Sequence, residues 1–349
     1  MAEKEQFDLN SINSKALELI DLTNKTEIKK ILIIKWGGMG DIILATSIME
    51  DIYMGFPKSK IHLNTLPQWK SLFTRDQRFE KIWGTKKSQE VGFFKHLYHW
   101  IKKIKSENYD LIIDLQTNDR TRIYLTILKI INQCPKYLVG NHPVFPYSIF
   151  PKRIKKIEHP FNLLQRTINT IGIESKTIIP KLYITEEENK FALDILKKNK
   201  LYKKKYVVFI CGSNRNGKSK RWGAQNFVKL SKLIRSFLDL KIILIGGPDD
   251  ISECELITSM DKKIINLCNK TELKILPKIF KNAKFIIGND TGTSHLVAIT
   301  KTPMIEIFGP TDPKKSKPLS KNIIAVKAGL SSMDNVSATY IFKIIKETL

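Results

Sequence analysis

The stretch that decides the fold is KKILIIKWGGMGD, Lys29–Asp41. Its apolar run Ile31–Ile34 is uninterrupted, which is typical of a strand buried on both faces of a parallel sheet. The glycines of Trp36–Asp41 allow a tight turn out of that strand, and Ile42–Tyr53 carries apolar residues at three- and four-residue spacing. Strand, glycine-rich turn and helix in this order predict the first unit of a doubly wound α/β domain.

The same alternation continues along the chain. Eight more strands are predicted: Ile61–Leu63, Leu111–Leu115, Tyr137–Val139, Tyr206–Ile210, Lys241–Ile245, Phe285–Ile287, Met304–Phe308 and Ile323–Val326. Amphipathic helical segments lie between them, for example Arg122–Ile131, Glu186–Lys198, Ala224–Phe237, Leu273–Phe280 and Tyr340–Ile345. Strands that alternate with helices predict parallel sheets with crossover helices.

A second domain opening follows in Lys203–Lys218, KKKYVVFICGSNRNGK, where basic residues, an apolar strand and a glycine-containing loop recur in the same order. We therefore predict two Rossmann-like domains that face a central cleft, at residues 29–175 and 176–349, with ligands at the carboxyl ends of the strands. Residues 1–28 are predicted to form a helical N-terminal extension. The last helix is a candidate to pack back on the N-terminal domain.

Composition excludes several classes of protein. The 349 residues are 42% hydrophobic, enough for two cores and too much for a disordered chain. No apolar run reaches the length of a membrane span, and the first ten residues, MAEKEQFDLN, lack the apolar segment of a signal peptide. The four cysteines show no zinc-ligand or disulfide spacing and indicate reduced thiols in the cytoplasm.

The net charge is +25, and the excess of lysine and arginine is spread over both halves of the chain. Such a charge favours a polyanionic partner: nucleic acid, an anionic membrane surface or a phosphorylated substrate. A lysine-rich, A/T-biased genome would produce much of the same excess without any function. Composition alone leaves the two interpretations open.

The first segment that can carry chemistry is Trp36–Asp41. It lacks the GxGxxG spacing of dinucleotide folds, and no acidic residue follows about twenty positions later, which disfavours a nicotinamide cofactor. Asp41 can act as the N-cap of the following helix. It can also act as a general base, since a carboxylate at this edge of a sheet can take a proton from a hydroxyl nucleophile. Spacing alone leaves both roles open.

The second segment is Cys211–Trp222. Its glycines, hydroxyls and amides, followed by Lys220, suit a phosphate cradle. Within it, GSNRNGKS at Gly212–Ser219 satisfies the Walker spacing GxxxxGK[ST], so a P-loop stays a rival interpretation. Against the P-loop, the helix is predicted to begin only near Ala224, whereas a Walker serine lies inside its helix. A solvated basic loop is the alternative without function.

The third segment is Gly288–His295, GNDTGTSH, which lies between a predicted strand and the short helix Leu296–Thr300. Its glycines and hydroxyls suit a diphosphate held on backbone N–H groups. As alternatives, Asp290 can be a loop cap and His295 a buried histidine with satisfied hydrogen bonds. The fourth segment, Phe308–Pro313, is a rigid turn by composition, and we assign it a structural role.

Together these segments resemble glycosyltransferase family 9, the ADP-heptose:lipopolysaccharide heptosyltransferases. The resemblance spans roughly residues 29–345 and is most specific in its last segment. The matching segments are ILIIKWGGMGDIILATSIM at Ile31–Met49, DLIIDLQTNDRT at Asp110–Thr121, SKRW at Ser219–Trp222, IGGPDD at Ile245–Asp250 and GNDTGTSHLVAITKTPMIEIFGPTDP at Gly288–Pro313.

The resemblance implies a GT-B fold with acceptor binding in the N-terminal domain and nucleotide-sugar binding in the C-terminal domain. It implies an inverting mechanism with no metal and no cofactor, in which Asp41 is the base and Lys220 neutralises the diphosphate of ADP-heptose. The donor-site residues that it implies are Gly40, Ser213, Asn214, Lys220, Asp249, Asp290, Thr291, Gly292, Thr293 and His295. Asp249 and Asp250 stand where the family often has glutamate.

On the acceptor side the resemblance implies Gln116 and Arg120, although Thr117 replaces a usual glycine there. The implied acceptor is a lipid A–Kdo type molecule, whose acidic groups an arginine can bind. We expect a peripheral enzyme on the cytoplasmic face of the inner membrane, docked on anionic lipid. The alternatives are a family relative that uses another nucleotide sugar and, from a different class, a nucleic-acid-binding module, which no RNA- or DNA-binding motif supports.

Overall fold

The computed structural model of the chain describes residues 20–85, 92–116, 119–152, 154, 158–213, 217–329 and 333–348. The chain divides into two compact units between Tyr183 and Ile184. Each unit contains one parallel sheet with its own helices. The two doubly wound α/β domains that the sequence predicts are therefore confirmed.

The first domain has a five-stranded sheet in the order β3-β2-β1-β4-β5. The strands are β1 Lys30–Lys35, β2 Lys60–Thr65, β3 Lys81–Gly84, β4 Leu111–Asp114 and β5 Tyr137–Val139. The helices are α1 Met39–Gly55, α2 Phe93–Glu107, α3 Arg120–Ile130 and α4 Pro160–Asn169, with a 3-10 segment at Pro67–Phe73. Right-handed crossovers put α1 on one face of the sheet and both α2 and α3 on the other.

The second domain has a six-stranded sheet in the order β11-β10-β9-β6-β7-β8. The strands are β6 Tyr206–Ile210, β7 Lys241–Leu244, β8 Ile265–Asn266, β9 Ile286–Asn289, β10 Met304–Phe308 and β11 Ile323–Lys327. The helices are α5 Glu186–Lys198, α6 Ala224–Leu238, α7 Ile251–Met260, α8 Leu276–Asn282, α9 Pro313–Ser316 and α10 Ala338–Thr348. Short 3-10 segments lie at Lys218–Lys220, Pro248–Asp250, Leu273–Ile275, Gly292–Ile299 and Met333–Asn335.

The domain boundary lies at Tyr183/Ile184, eight residues beyond the predicted one at 175/176. Contacts with α1 explain the difference. Asp51 accepts hydrogen bonds from the backbone N–H groups of Lys176 (3.1 Å) and Thr177 (3.0 Å). Further along, the N–H of Lys181 donates to Thr46 Oγ1 at 2.9 Å. The segment 176–183, which was predicted to open the second domain, is thus hydrogen-bonded to the first domain.

The chain termini also differ from expectation. Residues 20–28 form turns, not a helix, and they belong to the first domain because Leu22 and Ile28 are buried in it. Residues 1–19, the rest of the predicted helical extension, lie outside the described residues. The last helix, α10, packs against α6. Its residues Ile341, Phe342 and Ile345 belong to the core of the second domain, so α10 completes that domain.

Two strands, β3 and β8, were not predicted. Both are edge strands. β3 contains only four residues, of which none is fully buried, and β8 contains two. Short, half-exposed edges lack the continuous apolar run that identifies a central parallel strand. Within the described residues, no helix is both long enough and apolar enough to cross a membrane.

Candidate functional site

The glycine-rich turn after β1 shapes the site in the first domain. Helix α1 begins at Met39 with Gly38 as its N-cap, so Asp41 is the third helical residue and not the N-cap that the sequence indicated. Asp41 nevertheless caps, since its Oδ2 accepts from the Gly38 N–H at 3.1 Å. A Cβ at Gly37 would lie 2.6 Å from the Cβ of Asp41. Only glycine therefore lets the turn approach this half-exposed carboxylate.

Lys35, the last residue of β1, is a charged group that the sequence analysis missed. Its side chain is fully buried and Nζ donates to the Leu115 carbonyl at 2.9 Å. Burial lowers the pKa of Lys35, while the nearby carboxylates of Asp41 and Asp114 raise it. A lysine that ends an otherwise apolar strand, directly before the glycine turn, was the available signal.

Asp114 at the end of β4 is buried among hydrogen-bond donors. Thr121 Oγ1 and Tyr147 Oη donate to its Oδ2 at 2.5 and 2.7 Å. Burial raises the pKa of Asp114 to about 6, although these donors and the charge of Lys35 act in the opposite direction. The carboxyl group therefore organises the loop after β4.

The two residues predicted to bind the acceptor follow β4. Gln116 is buried and its Oε1 accepts from the Trp36 N–H at 3.0 Å, so its side chain ties the loop after β4 to the turn after β1. Arg120 is exposed and is the first residue of α3. Thr117 and Asn118, where the sequence departs from the family pattern, lie outside the described residues.

In the second domain, the site is organised around an ion pair between two predicted donor-site residues. Lys220 Nζ lies 2.7 Å from Asp290 Oδ2. Thr311 Oγ1 donates to the same oxygen at 2.5 Å. The structure therefore brings the SKRW segment, the Gly288–His295 segment and the Phe308–Pro313 turn together. The turn, to which the sequence analysis gave a structural role, contributes Thr311 directly.

Asn289 positions this ion pair. Its Oδ1 accepts from the Trp222 N–H at 3.1 Å, and its Nδ2 donates to the Cys211 carbonyl at 2.7 Å. The indole Nε1 of Trp222 donates to the Val336 carbonyl at 2.6 Å. Because Trp222 and Asn289 are both buried, they hold the backbones on which Lys220 and Asp290 lie.

Asp250 connects the loops that follow β6 and β7. Its Oδ1 accepts from the Ser213 N–H and its Oδ2 from the Gly247 N–H, each at 2.9 Å. A Cβ at Gly212 would lie only 1.9 Å from this carboxyl group. Burial raises the pKa of Asp250, against the hydrogen bonds it accepts and the charge of Arg221.

The remaining predicted donor-site residues fall into four groups. Asp249 is exposed, in contrast to its half-buried neighbour Asp250. Thr293 and His295 are buried in the 3-10 segment Gly292–Ile299, which Thr291 precedes. Gly40 lies in the first turn of α1, in the first domain. Asn214 lies outside the described residues.

The P-loop interpretation requires Ser219 to lie inside a helix. Ser219 instead lies in the 3-10 turn Lys218–Lys220, and α6 begins only at Ala224. Ser219 therefore lacks the helical position that a Walker serine occupies.

Comparisons with known proteins identify the family of the chain. The family model described as glycosyltransferase family 9 (heptosyltransferase) matches residues 97–346. Lipooligosaccharide heptosyltransferase 2 of Haemophilus influenzae is 23% identical over 320 residues, which cover 85% of this chain and 88% of that protein.

Two solved structures show the same fold. A glycosyl transferase family 9 protein of Veillonella parvula has a TM-score of 0.80 at 19% identity and covers 95% of this chain and 98% of its own. E. coli heptosyltransferase WaaC with ADP has a TM-score of 0.71 at 18% identity and covers 92% and 100%. These likenesses confirm the GT-B class, and the family match covers far more than half of the chain. The chain belongs to glycosyltransferase family 9 and is a glycosyltransferase.

Proposed function

We propose that the enzyme transfers heptose from ADP-heptose to an inner-core acceptor of lipopolysaccharide, a Kdo or heptose residue on a lipid A anchor. The observation that carries the proposal is the ion pair between Lys220 and Asp290, 2.7 Å long and at the carboxyl ends of the strands. Support for the nucleotide comes from the E. coli relative solved with ADP. Support for the acceptor class comes from the H. influenzae relative.

The proposed chemistry needs one base and one cationic site. The carboxylate of Asp41 takes the proton of the acceptor hydroxyl, and the hydroxyl oxygen forms a bond to the anomeric carbon of the heptose as the bond to the diphosphate breaks. Attack from the face opposite the leaving group inverts the anomeric centre. Lys220 and the N-terminus of the segment Gly292–Ile299 stabilise the charge of the departing ADP, so we propose a reaction without a metal ion.

Asp41→Asn tests the base. Asparagine retains an acceptor for the Gly38 N–H but cannot take a proton, so helix α1 keeps its cap. We expect transfer to fall by about 10²–10⁴-fold, with the melting temperature and ADP binding unchanged. Activity near that of the wild type would exclude Asp41 as the base.

Lys220→Ala tests the donor site, with EDTA present throughout. We expect ADP and ADP-heptose to raise the melting temperature of the wild type but not of Lys220→Ala. Lys218→Ala is the matched control, because Lys218 lies in the same 3-10 turn and is exposed. Stabilisation by UDP or GDP compounds alone would overturn the heptose donor and favour a relative with another nucleotide sugar. No response to any nucleotide would overturn the donor site.

We further propose that the enzyme is a peripheral protein on the cytoplasmic face of the inner membrane. The support for this location is the chemistry of the acceptor, which carries a lipid anchor, and the net charge of +25, since lysines and arginines near an anionic membrane each contribute about 1 kcal/mol to binding. A nucleic-acid-binding function rests on charge alone.

A further inference from the structure

Helices α2 and α3 form the outer layer on one face of the first domain. Their inner sides are buried in one hydrophobic cluster that also includes Leu32 and Ile34 of β1 and Ile112 of β4. The residues that these two helices contribute to that cluster are Leu97, Trp100, Ile104, Tyr124, Leu125 and Leu128. Because these residues already satisfy the core, the outer sides of the two helices need no apolar residues for folding.

The outer sides nevertheless carry large exposed apolar side chains. Phe94 is 83% exposed and Tyr98, one turn further along α2, is 62% exposed. On α3, Ile123 is 52% and Ile130 is 70% exposed, two turns apart on one side of the helix. Single exposed apolar residues are normal on a protein surface, but four on two neighbouring helices form a patch.

Phe93 connects the two helices at this surface. Its ring centroid lies 5.6 Å from that of Phe94 on α2 and 5.6 Å from that of Tyr124 on α3. Ile123 is next to Tyr124 in the chain and faces outward. We call the surface formed by Phe93, Phe94, Tyr98, Ile123 and Ile130 the α2–α3 apolar face.

Exposed lysines lie along one of the two helices of this face. Helix α2 contains four lysines and one acidic residue, Glu107. That glutamate is buried and pairs with Lys30, Lys81 and Lys103. Lys95, Lys102 and Lys105 are exposed along the outer side of α2. An apolar surface edged by exposed lysines is complementary to a bilayer that contains anionic lipid, into which rings insert while ammonium groups meet the headgroups.

The location of the face fits an acceptor in the membrane. Helices α2 and α3 follow the carboxyl ends of β3 and β4. Their first residues, among them Phe93 and Ile123, therefore lie at the same edge of the sheet as Asp41, which follows β1. A bilayer at this face would bring the headgroup region to the edge that carries the proposed base.

We propose that the α2–α3 apolar face docks the enzyme on the surface of a bilayer that contains anionic lipid. The inference rests on the proposed function only for the identity of the lipid-linked acceptor. Binding itself follows from the exposed rings and isoleucines and from the lysines beside them. Phe94 and Ile123 provide apolar contacts near the edge of the sheet at which Asp41 lies. Lys102 and Lys105 select for negatively charged lipid.

The test is co-sedimentation of the full-length protein with phosphatidylcholine vesicles, with and without phosphatidylglycerol. We expect binding only when phosphatidylglycerol is present, and at least about tenfold weaker binding of the double variant Phe94→Ser/Ile123→Ser, because two large apolar side chains no longer insert. The matched control is Phe191→Ser/Leu193→Ser, two half-exposed residues on α5 of the second domain. A second variant, Lys102→Glu/Lys105→Glu, should lose the preference for anionic vesicles.

Each outcome decides the proposal. Equal binding of wild type and Phe94→Ser/Ile123→Ser would overturn it, as would equal binding to vesicles with and without phosphatidylglycerol. A wild-type dimer that the same variant converts to a monomer would instead assign the face to a second copy of the chain. Stabilisation by ADP and transfer to a lipid-free acceptor should be unchanged in all of these variants. Loss of vesicle binding alone therefore tests docking, and loss of the ADP response tests the proposed function.

Discussion

Glu306 is a buried carboxyl group whose side-chain oxygens lack a hydrogen bond within the described residues. It lies in the centre of β10 and is fully buried. Burial raises the pKa of Glu306 well above its ordinary value and the charge of Asp290 acts in the same direction, whereas the Ser294 hydroxyl and the charges of Lys317 and Lys220 act against it. Folding therefore favours the protonated form of Glu306, which lies near Ser294 and Asp290 of the Gly288–His295 segment.

Glu306→Leu should stabilise the protein at neutral pH by about 1–3 kcal/mol, because it removes a buried polar group without a partner. In the unfolded chain a glutamate ionises near pH 4.3, whereas in the folded chain burial raises its pKa. The stabilisation that the raised pKa of Glu306 contributes to the free energy of unfolding is thus complete below that pH. It is lost as the pH rises towards the raised pKa of the folded state.

The gap in melting temperature between Glu306→Leu and the wild type should therefore widen as the pH rises from about 4. Glu306→Gln is the control, since it removes the titration but keeps the shape. A gap that stays constant with pH would show that the carboxyl group does not titrate between the folded and unfolded states.

Gly212→Ala should disturb the donor site, because the new Cβ would meet the carboxyl group of Asp250 at 1.9 Å. Asp250 would have to release the Ser213 N–H, so we expect a lower melting temperature and a reduced response to ADP. Gly247→Ala is the matched control in the neighbouring loop, where a Cβ would meet nothing within 4 Å. Equal behaviour of the two variants would contradict this account of the loop.

Some residues that the sequence motifs single out lie together in the structure. Lys220, Asp290, Thr291 and Gly292 were named from sequence, and the structure brings Lys220 and Asp290 into contact. The catalytic and binding roles of these residues stay predictions. Thr311 and Lys35 were missed because their importance depends on contacts between distant segments, such as Thr311 with Asp290. No local pattern shows those contacts.

At the scale of elements, the segment 175–183 shows how a linker can become part of a domain. Asp51→Ala should weaken its attachment, because the carboxylate accepts from Ser175 Oγ and from the N–H groups of Lys176 and Thr177. We expect a loss of about 2–3 kcal/mol of stability and faster proteolysis within this segment. Glu174→Ala is the control, since the Glu174 side chain is 79% exposed. Unchanged proteolysis would show that Asp51 does not fasten the segment.

The ends of strands were predicted most accurately where the strands are buried. Tyr206–Ile210 and Met304–Phe308 match the predicted strands at both ends, because a central parallel strand is an apolar run between polar boundaries. The edge strand Tyr137–Val139 also matches, since two of its three residues are buried. The domain boundary was missed by eight residues, since hydrogen bonds to Asp51 and Thr46 fix it and local composition does not. Helix α1 begins three residues before the predicted start, because glycine and methionine ahead of Asp41 also adopt its first turn.

At the scale of the whole molecule, the net charge of +25 predicts two kinds of binding that salt distinguishes. Between 0.1 M and 1 M salt the Debye length falls from about 10 Å to about 3 Å. RNA binding through surface charge alone should then disappear. Binding to phosphatidylglycerol vesicles should keep a residual part that Phe94→Ser/Ile123→Ser removes. RNA binding that persists in 1 M salt would instead support a specific nucleic-acid site.

Each domain keeps a complete sheet and its own core, and within the described residues the chain passes from one domain to the other once, between Tyr183 and Ile184. This one domain boundary therefore separates the half with the proposed base from the half with the proposed nucleotide-sugar site. Recombination between related genes at this boundary would exchange the domain with the proposed acceptor site and keep the domain with the proposed donor site, or the reverse.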